Sequence, residues 1–228
     1  MMQPSEIAAL IDYSQLKPTV TRRDIRRMCA QARRYGFHAV CVNSYWVREC
    51  VRLLAGSGVK VAATVGYPLG AASTRAKVAE AEQAFRDGAD EIDVVMNIGE
   101  MLSGNEREVL RDLKEVVAVA RRRRKCAKAI IETAYLNKRQ KIAACRIALR
   151  AGADFVKTST GYAPMGATVE DVKLIRRVVG RRAGVKAAGG IRSLRQLLAL
   201  VAAGANRIGA TAGPEIVEEA KKLHSTTK

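Results

Sequence analysis

Short apolar runs rich in β-branched residues alternate with amphipathic helical patterns along the 228-residue sequence. This alternation predicts an α/β fold, and eight repeats in this length predict a (β/α)8 TIM barrel. Three of the predicted strands also follow nearly the same tetrapeptide, which reads Asp-Gly-Ala-Asp, Ala-Gly-Ala-Asp or Ala-Gly-Ala-Asn. Such a repeated junction is typical of βα units, and an open doubly wound sheet is the structural alternative.

The pattern places each element within a few residues. The predicted strands cover residues 11–14, 39–43, 60–66, 90–97, 127–132, 153–158, 184–188 and 205–209. The predicted helices cover residues 21–35, 45–55, 73–87, 105–124, 137–150, 168–180, 192–203 and 213–223. A short additional helix at residues 3–10 is expected to close the N-terminal end of the barrel. No linker divides the chain, so residues 1–228 are expected to form a single TIM-barrel domain.

Capping residues support these helix boundaries. Residues that favour helix starts precede six helices: Thr21, Ser73, Asn105, Asn137, Thr168 and Ser193. Glycines follow four helix ends: Gly36, Gly88, Gly152 and Gly204.

The composition narrows the function classes. The net charge of +18 is compatible with nucleic acid, an anionic metabolite or an Arg-rich surface. Most basic residues fall on the polar faces of predicted helices, and aromatic residues make up only 4% of the chain, so platforms for base stacking are scarce. We therefore expect no nucleic-acid partner. With neither a long apolar run nor a signal-peptide pattern, we also expect no membrane partner and a cytoplasmic location.

Cysteine and histidine usage argues against a metal centre. The five cysteines form no Cys-x-x-Cys pair, and an odd number suits reduced, mostly buried thiols better than a disulfide framework. The sequence contains only two histidines, His38 and His224. We therefore expect neither a zinc site nor a histidine-rich metal centre. No metal and no cofactor are predicted for the functional site.

Two lysines lie inside apolar runs that are typical of buried strands. Lys157 and Lys186 fall toward the C-terminal ends of the sixth and seventh strands, where barrel enzymes keep their chemistry. Strand alternation turns Asp93 of the fourth strand inward as well. Lys60 and Lys128, in contrast, are expected to begin their strands at the solvated end as ordinary charges. Burial and mutual repulsion can bring one amine's pKa down toward roughly 7–8, which suits a Schiff-base nucleophile, whereas a structural ion-pair network is the alternative.

Glycine-rich loops follow the seventh and eighth strands. Gly189 and Gly190 lie after the former and Gly209 at the end of the latter, with Thr211 close behind. Loops at these two positions bind phosphate in many barrels through backbone N–H groups. Thr160 and Gly161, which follow the sixth strand, are expected to close the other side of the same anion site.

The sequence resembles the deoxyribose-phosphate aldolase family over almost its whole length. The most specific match is Phe-Val-Lys-Thr-Ser-Thr-Gly at residues 155–161. Further matching segments, in the same order as in the family, are residues 11–18, 40–43, 65–70, 91–99, 130–133, 185–192 and 207–209.

The resemblance implies a metal-free class I aldolase that converts 2-deoxy-D-ribose 5-phosphate into D-glyceraldehyde 3-phosphate and acetaldehyde, and the reverse. It implies that Lys157 is the Schiff-base lysine, that Lys186 perturbs it and that Asp93 is its acid/base partner. Asp12 and Ser14 match the family's first-strand pair near the active site, and the glycine loops match its phosphate site. The expected partner is a small phosphorylated sugar, and the expected assembly is a homo-oligomer, either a dimer or a tetramer.

The sequence departs from the family pattern at three places. Tyr13 stands where the family often has histidine, and Thr211 and Ala212 stand where its phosphate loop often has serine. The tail at residues 224–228 lacks the tyrosine that assists proton transfer in some members. Two other functions remain open at this stage: a Schiff-base aldolase for a different sugar phosphate, and a non-catalytic basic barrel that binds nucleic acid or phosphorylated ligands.

Overall fold

The computed structural model describes residues 2–226, with only the backbone of Thr226, and within this range eight parallel strands form a closed barrel in sequence order. The strands are β1 (Ile11–Gln15), β2 (Ala39–Asn43), β3 (Lys60–Val65), β4 (Glu91–Val95), β5 (Cys126–Ile130), β6 (Phe155–Lys157), β7 (Gly184–Ala188) and β8 (Arg207–Ala210). Pairing of β1 with β8 closes the sheet and excludes the open-sheet alternative. The predicted fold class is therefore confirmed. Residues 1, 227 and 228 of the predicted domain and tail lie outside the described part.

Helices connect successive strands and surround the barrel. They are α1 (Pro4–Ala8), α2 (Arg22–Tyr35), α3 (Val47–Leu54), α4 (Thr74–Arg86), α5 (Ile98–Leu102), α6 (Glu106–Arg122), α7 (Lys138–Ala151), α8 (Val169–Val179), α9 (Leu194–Ala202) and α10 (Gly213–Thr226). The predicted additional N-terminal helix corresponds to α1, which packs against α10. Helix α5 and a 3-10 turn at Thr133–Tyr135 were not predicted, because such short segments show no helical periodicity.

Most predicted capping residues act as caps. The side chains of five of them accept a hydrogen bond from the backbone of their own helix: Thr21, Ser73, Asn137, Thr168 and Ser193. The prediction is wrong for the Asn105 side chain, whose amide instead donates to the Glu100 carboxylate at 2.8 Å. Helix α5, which the sequence pattern missed, places Glu100 within reach of this amide. At the other helix ends, Gly36 and Gly152 adopt left-handed φ angles of 67° and 84°.

Strand alternation separates an apolar outer layer from a polar interior. Ile92, Val94 and Met96 belong to the buried hydrophobic core between the barrel and its helices, as predicted. Glu91 and Asp93 alternate with them and therefore face inward, where both side chains are buried. This division of each strand positions the candidate site. Among residues 2–226, no helix combines the length and apolar character needed to cross a membrane.

Candidate active site

Buried charged side chains fill the barrel interior below its C-terminal end. Within the described residues, the buried members of the connected cluster are three carboxylates and four cationic groups: Asp12, Glu91, Asp93, Lys128, Lys157, Lys186 and Arg207. Register explains how they meet, because Lys157 pairs with Lys186 across β6 and β7, and Asp93 pairs with Lys128 across β4 and β5. The residues come from six strands, so only barrel closure brings them together.

Asp93 is the centre of this cluster. One carboxylate oxygen, Oδ2, accepts hydrogen bonds from Lys157 at 2.8 Å and from Lys186 at 2.7 Å. The other oxygen, Oδ1, accepts from Lys128 at 2.7 Å. The structure therefore brings together Lys157, Lys186 and Asp93, as the sequence predicted.

Lys128 corrects a sequence prediction. The lysine was expected to be an ordinary charge at the solvated end of its strand, but it is fully buried and also contacts Glu91 Oε2 at 2.6 Å. Strand β5 begins two residues earlier, at Cys126, so that Lys128 lies in mid-strand and faces inward. Its position inside an apolar run was the available signal, the same one that identified Lys157. Lys60, predicted in the same way, is indeed half exposed.

Mutual attraction keeps the cluster ionised. Burial alone would raise the pKa of Asp93, but the ammonium groups of Lys128, Lys157 and Lys186 hold it well below its ordinary value. Burial alone would likewise lower the pKa of Lys186, yet the carboxylates of Asp12 and Asp93 raise it above its usual range. The pKa of Lys128 is raised for the same reason, by Asp93, Asp12 and Glu91. Each of these groups is therefore charged at neutral pH.

Lys157 differs from its neighbours in two respects. Its carboxylate contact among residues 2–226 is to an oxygen that it shares with Lys186, whereas Lys186 has Asp12 in addition and Lys128 has Glu91. Lys157 is also the cluster residue that lines the pocket at the C-terminal end of the barrel. With three carboxylates for four cations among the described residues, Lys157 is the amine that the network holds least.

A cavity of about 470 Å³ opens at this end of the barrel. Eight of the predicted site residues line it: Ser14, Lys157, Thr160, Gly161, Gly189, Gly190, Gly209 and Thr211. The other three, Asp12, Asp93 and Lys186, are fully buried beneath the cavity. Hydrogen bonds through Asp93 connect them to Lys157, which lines it. Asp12 therefore belongs to the charge network beneath the pocket: it accepts from Lys186, and from Arg207 at 3.1 Å.

The glycine loops have the backbone that an anion site requires. Gly189 and Gly190 have φ angles of 91° and 76°, which L side chains rarely adopt. A Cβ atom at Gly190 would enter open space, whereas one at Gly209 would approach the Ala188 side chain to 3.0 Å. The backbone at Gly190 is thus open, whereas a side chain at Gly189 or Gly209 would meet neighbouring residues.

Thr160 lies at the cavity, but its donors point elsewhere. Its backbone N–H donates to Glu132 Oε2 at 3.1 Å, and its hydroxyl donates to the same carboxylate. Direct donation from Thr160 to a bound anion is therefore not what this geometry offers, and its role in substrate binding stays a prediction. Tyr162, which belongs to the loop predicted to close the anion site, also lines the cavity. Lys17, Tyr67 and Arg192 line it too, although sequence reasoning assigned none of them to the site individually.

Asp12, His38 and Glu91 bring three potential metal ligands within 4.8 Å of one another. Their carboxylates already serve as acceptors for protein cations, since Arg207 bridges Asp12 and Glu91 at 3.1 and 3.3 Å. Glu91 also accepts from Lys128, and its other oxygen lies 3.2 Å from His38 Nε2. The donor set is therefore that of an ion-pair network.

Comparison with known proteins identifies the family. The family model described as DeoC/LacD family aldolase matches residues 6–218. The chain belongs to this family. It is accordingly an aldolase, a carbon–carbon lyase, and the resemblance inferred from its motifs is confirmed.

Individual relatives agree over the full length. The chain is 53% identical over 217 residues to deoxyribose-phosphate aldolase of Aciduliprofundum boonei, with 95% of this chain and 98% of the relative covered. It is 52% identical to the deoxyribose-phosphate aldolase of Thermococcus kodakarensis, with 96% and 99% covered. Among solved structures, the tetrameric deoxyribose phosphate aldolase of Aeropyrum pernix superposes with a TM-score of 0.91 at 32% identity, with 97% and 93% covered.

Proposed function

We propose that this protein cleaves 2-deoxy-D-ribose 5-phosphate reversibly into D-glyceraldehyde 3-phosphate and acetaldehyde through a Schiff base on Lys157. The observation that carries the proposal is a buried lysine that opens into the cavity and shares one Asp93 oxygen with a second lysine. The names of the relatives support the choice of substrate.

The first half of the reaction forms the electron sink. Neutral Lys157 Nζ adds to the C1 aldehyde of the open-chain sugar, and loss of water from the carbinolamine gives an iminium ion. Asp93 Oδ2 takes the proton of the Lys157 ammonium before the attack and returns it to the carbinolamine hydroxyl, which leaves as water. The same oxygen contacts Lys186 and so provides the relay to that amine.

The second half breaks the C2–C3 bond. The Asp93 carboxylate, hydrogen-bonded to Lys186 in the relay, takes the proton of the C3 hydroxyl, the C3–O bond becomes a carbonyl, and the C2–C3 electron pair moves into the iminium. D-Glyceraldehyde 3-phosphate leaves. The enamine that remains on Lys157 is protonated at C2, and hydrolysis of the resulting iminium releases acetaldehyde and restores the amine.

The phosphate is proposed to lie at the glycine loops, away from the bond that breaks. Gly189, Gly190, Gly209 and Thr211 line the cavity there, and their backbone N–H groups and the Thr211 hydroxyl are the donors that we expect to hold the phosphate. Binding energy at this remote site holds the reacting carbons near Lys157. The scheme uses no metal.

Trapping with borohydride tests the nucleophile. With acetaldehyde present, reduction is expected to add one ethyl group, which peptide mass mapping places on Lys157, and Lys157→Ala is expected to abolish both labelling and aldol cleavage, by about 10⁴-fold or more. An adduct on Lys186, or activity that survives the Lys157 change, would refute the assignment. Loss of activity in EDTA with recovery in zinc would point to a metal-dependent aldolase instead.

We propose a single functional domain, a cytoplasmic location, a role in deoxyribonucleotide catabolism and a phosphorylated sugar rather than nucleic acid as partner. We also propose a homo-oligomer, dimer or tetramer, which is supported by the tetramer reported for the Aeropyrum pernix relative. Light scattering coupled to size-exclusion chromatography measures its mass directly, and a monomer would exclude this part of the proposal.

A further inference from the structure

Glu132 has an unusual backbone conformation at the C-terminal end of the barrel. It follows β5 by two residues and has φ 48° and ψ 71°, in the left-handed region that non-glycine residues rarely adopt. Its side chain is only 1% exposed. Strained residues of this kind persist where surrounding contacts hold them, and they concentrate at functional sites.

The Glu132 carboxylate binds one residue twice. Oε2 accepts the backbone N–H of Thr160 at 3.1 Å and also the Thr160 hydroxyl. Thr160 is held from its other side as well, because its carbonyl accepts from the Tyr67 hydroxyl at 2.7 Å and its own hydroxyl accepts from the backbone N–H of Tyr162 at 3.1 Å. The segment after Lys157 is thereby fixed by side chains from two other loops.

Main-chain hydrogen bonds on either side of Glu132 extend the same contact. The N–H of Ile131 donates to the carbonyl of Lys157 at 3.0 Å, and the N–H of Thr133 donates to the carbonyl of Thr158 at 2.9 Å. The left-handed turn at Glu132 thus lets residues 131–133 form hydrogen bonds with three residues of the facing segment, Lys157, Thr158 and Thr160. One of these points is the backbone of Lys157 itself.

Fixing Thr160 also fixes the next residue against the glycine loop. A Cβ atom placed on Gly189 would lie 3.5 Å from the Gly161 Cα, so these two cavity-lining backbones face each other at close range. We propose that Glu132 is a positioning residue that clamps Thr160 and thereby holds the Gly161 backbone against the Gly189 loop as one wall of an anion site. The inference rests on the proposed function for the identity of the anion, a sugar phosphate.

The ionisation of Glu132 provides a second way to examine the clamp. Burial raises the pKa of the Glu132 carboxyl above its ordinary value, and the Thr160 hydrogen bonds and the Lys157 ammonium oppose this shift only in part. Lys157 on β6 and the Tyr67 phenol in the loop after β3 are the titratable groups that interact with it. The ionised carboxylate accepts both Thr160 donors in charge-assisted hydrogen bonds, and protonation removes that charge, so the clamp weakens as pH falls.

Calorimetry with inorganic phosphate tests the clamp without requiring catalysis. Glu132→Gln removes the charge and Thr160→Val removes the hydroxyl, and each is expected to weaken phosphate binding about tenfold, the loss of one charge-assisted hydrogen bond. Exposed Glu106 offers a matched control, Glu106→Gln, with unchanged affinity. Sulfate, which stays fully ionised over this range, is then titrated between about pH 4.5 and 7. Wild-type affinity is expected to fall toward low pH, whereas that of Glu132→Gln stays level.

The outcomes separate this inference from the proposed function. Tighter phosphate binding in Glu132→Gln with unchanged binding in Thr160→Val would overturn the clamp, because the carboxylate would then act only by repelling anions. Unchanged affinity in both variants, with native circular dichroism, would overturn it equally. Wild-type protein that binds phosphate through the clamp but does not cleave 2-deoxyribose 5-phosphate would instead refute the proposed substrate and leave the clamp supported.

Discussion

Lysine is fully buried in two different regions of this barrel, and the two regions differ in the number of carboxylates available to each ammonium group. In the helix layer, Lys77 of α4 binds Asp112 of α6 at 2.7 Å and the carbonyl of Val95 at 3.0 Å. Asp112 also accepts from the Thr74 hydroxyl at 2.9 Å. In the barrel interior, by contrast, Lys157 and Lys186 share a single oxygen of Asp93.

The difference shows that burial of a lysine does not by itself indicate chemistry. The Lys77 ammonium has a carboxylate of its own, which is the arrangement of a structural ion pair. The interior cluster, among the described residues, has one more cation than carboxylates, and the least supported cation lines a cavity. Nucleophilic catalysis requires an amine next to a space for substrate, and Lys157 meets this requirement with less opposite charge around it than its neighbours have.

After Lys157→Ala, the largest effect is expected for Lys186→Leu. The change removes one member of the proton relay and leaves Asp12 without its nearest ammonium, so kcat should fall by about 10²–10⁴-fold, although borohydride can still trap acetaldehyde on Lys157. Steady-state kinetics and adduct mass mapping provide the two readouts. Lys77→Met is the matched control for loss of a buried ammonium. A similar fall in kcat in this variant would contradict the assignment of catalysis to the barrel interior alone.

Stability is expected to distinguish the regions less than activity does. Lys77→Met leaves the buried Asp112 carboxylate without its ammonium partner, and Lys128→Met removes one ammonium partner from both Glu91 and Asp93. Each change should therefore lower the free energy of unfolding by about 3–5 kcal/mol. Activity should fall in Lys128→Met but remain within about threefold in Lys77→Met. Urea unfolding and kcat/KM measure both quantities. Full activity in Lys128→Met would show that Lys128, like Lys77, has only a structural role.

The interior network also predicts a pH window for stability. The pKa values of Asp12, Glu91 and Asp93 are lowered, so their contribution is present above about pH 4 and lost as pH falls below the unfolded values. Those of Lys128 and Lys186 are raised, so their contribution is present below about pH 10.4 and lost above it. Each limb should reach a slope of about 1.4 kcal/mol per pH unit per proton. Lys186→Leu should flatten the alkaline limb, and an unaltered limb would contradict the assignment.

The smallest effect is expected at the phosphate loops. Gly190 has φ 76° and Gly104, remote from the cavity, has φ 79°, and a Cβ atom on either meets nothing within 4 Å. A valine at either position should therefore cost about 1–2 kcal/mol in backbone strain. Only Gly190→Val should also weaken 2-deoxyribose 5-phosphate, by about tenfold relative to unphosphorylated 2-deoxyribose, because its side chain enters the cavity. Equal kcat/KM losses for both sugars would show that the substrate phosphate does not bind at this loop.

Local patterns in the sequence predicted most of the fold and the central residues of the site. Periodicity located all eight strands and their main helices, because one face of each must be apolar. Strand alternation then turned Asp93, Lys157 and Lys186 inward, and the structure joins them at 2.7–2.8 Å. The same reasoning failed for Lys128, since an error of one residue in a strand start changed an inner position into an apparent end.

By itself, the sequence determined which side chains face the barrel interior, since alternation is a property of the strand alone. Only the tertiary structure decided their stoichiometry: that Asp93 serves three lysines, that Arg207 joins Asp12 to Glu91, and that Lys77 has a partner of its own. It also decided that Thr160 donates to Glu132 rather than to the cavity. Partner choice among charges depends on distances between residues up to 195 positions apart, which barrel closure sets and no local pattern records.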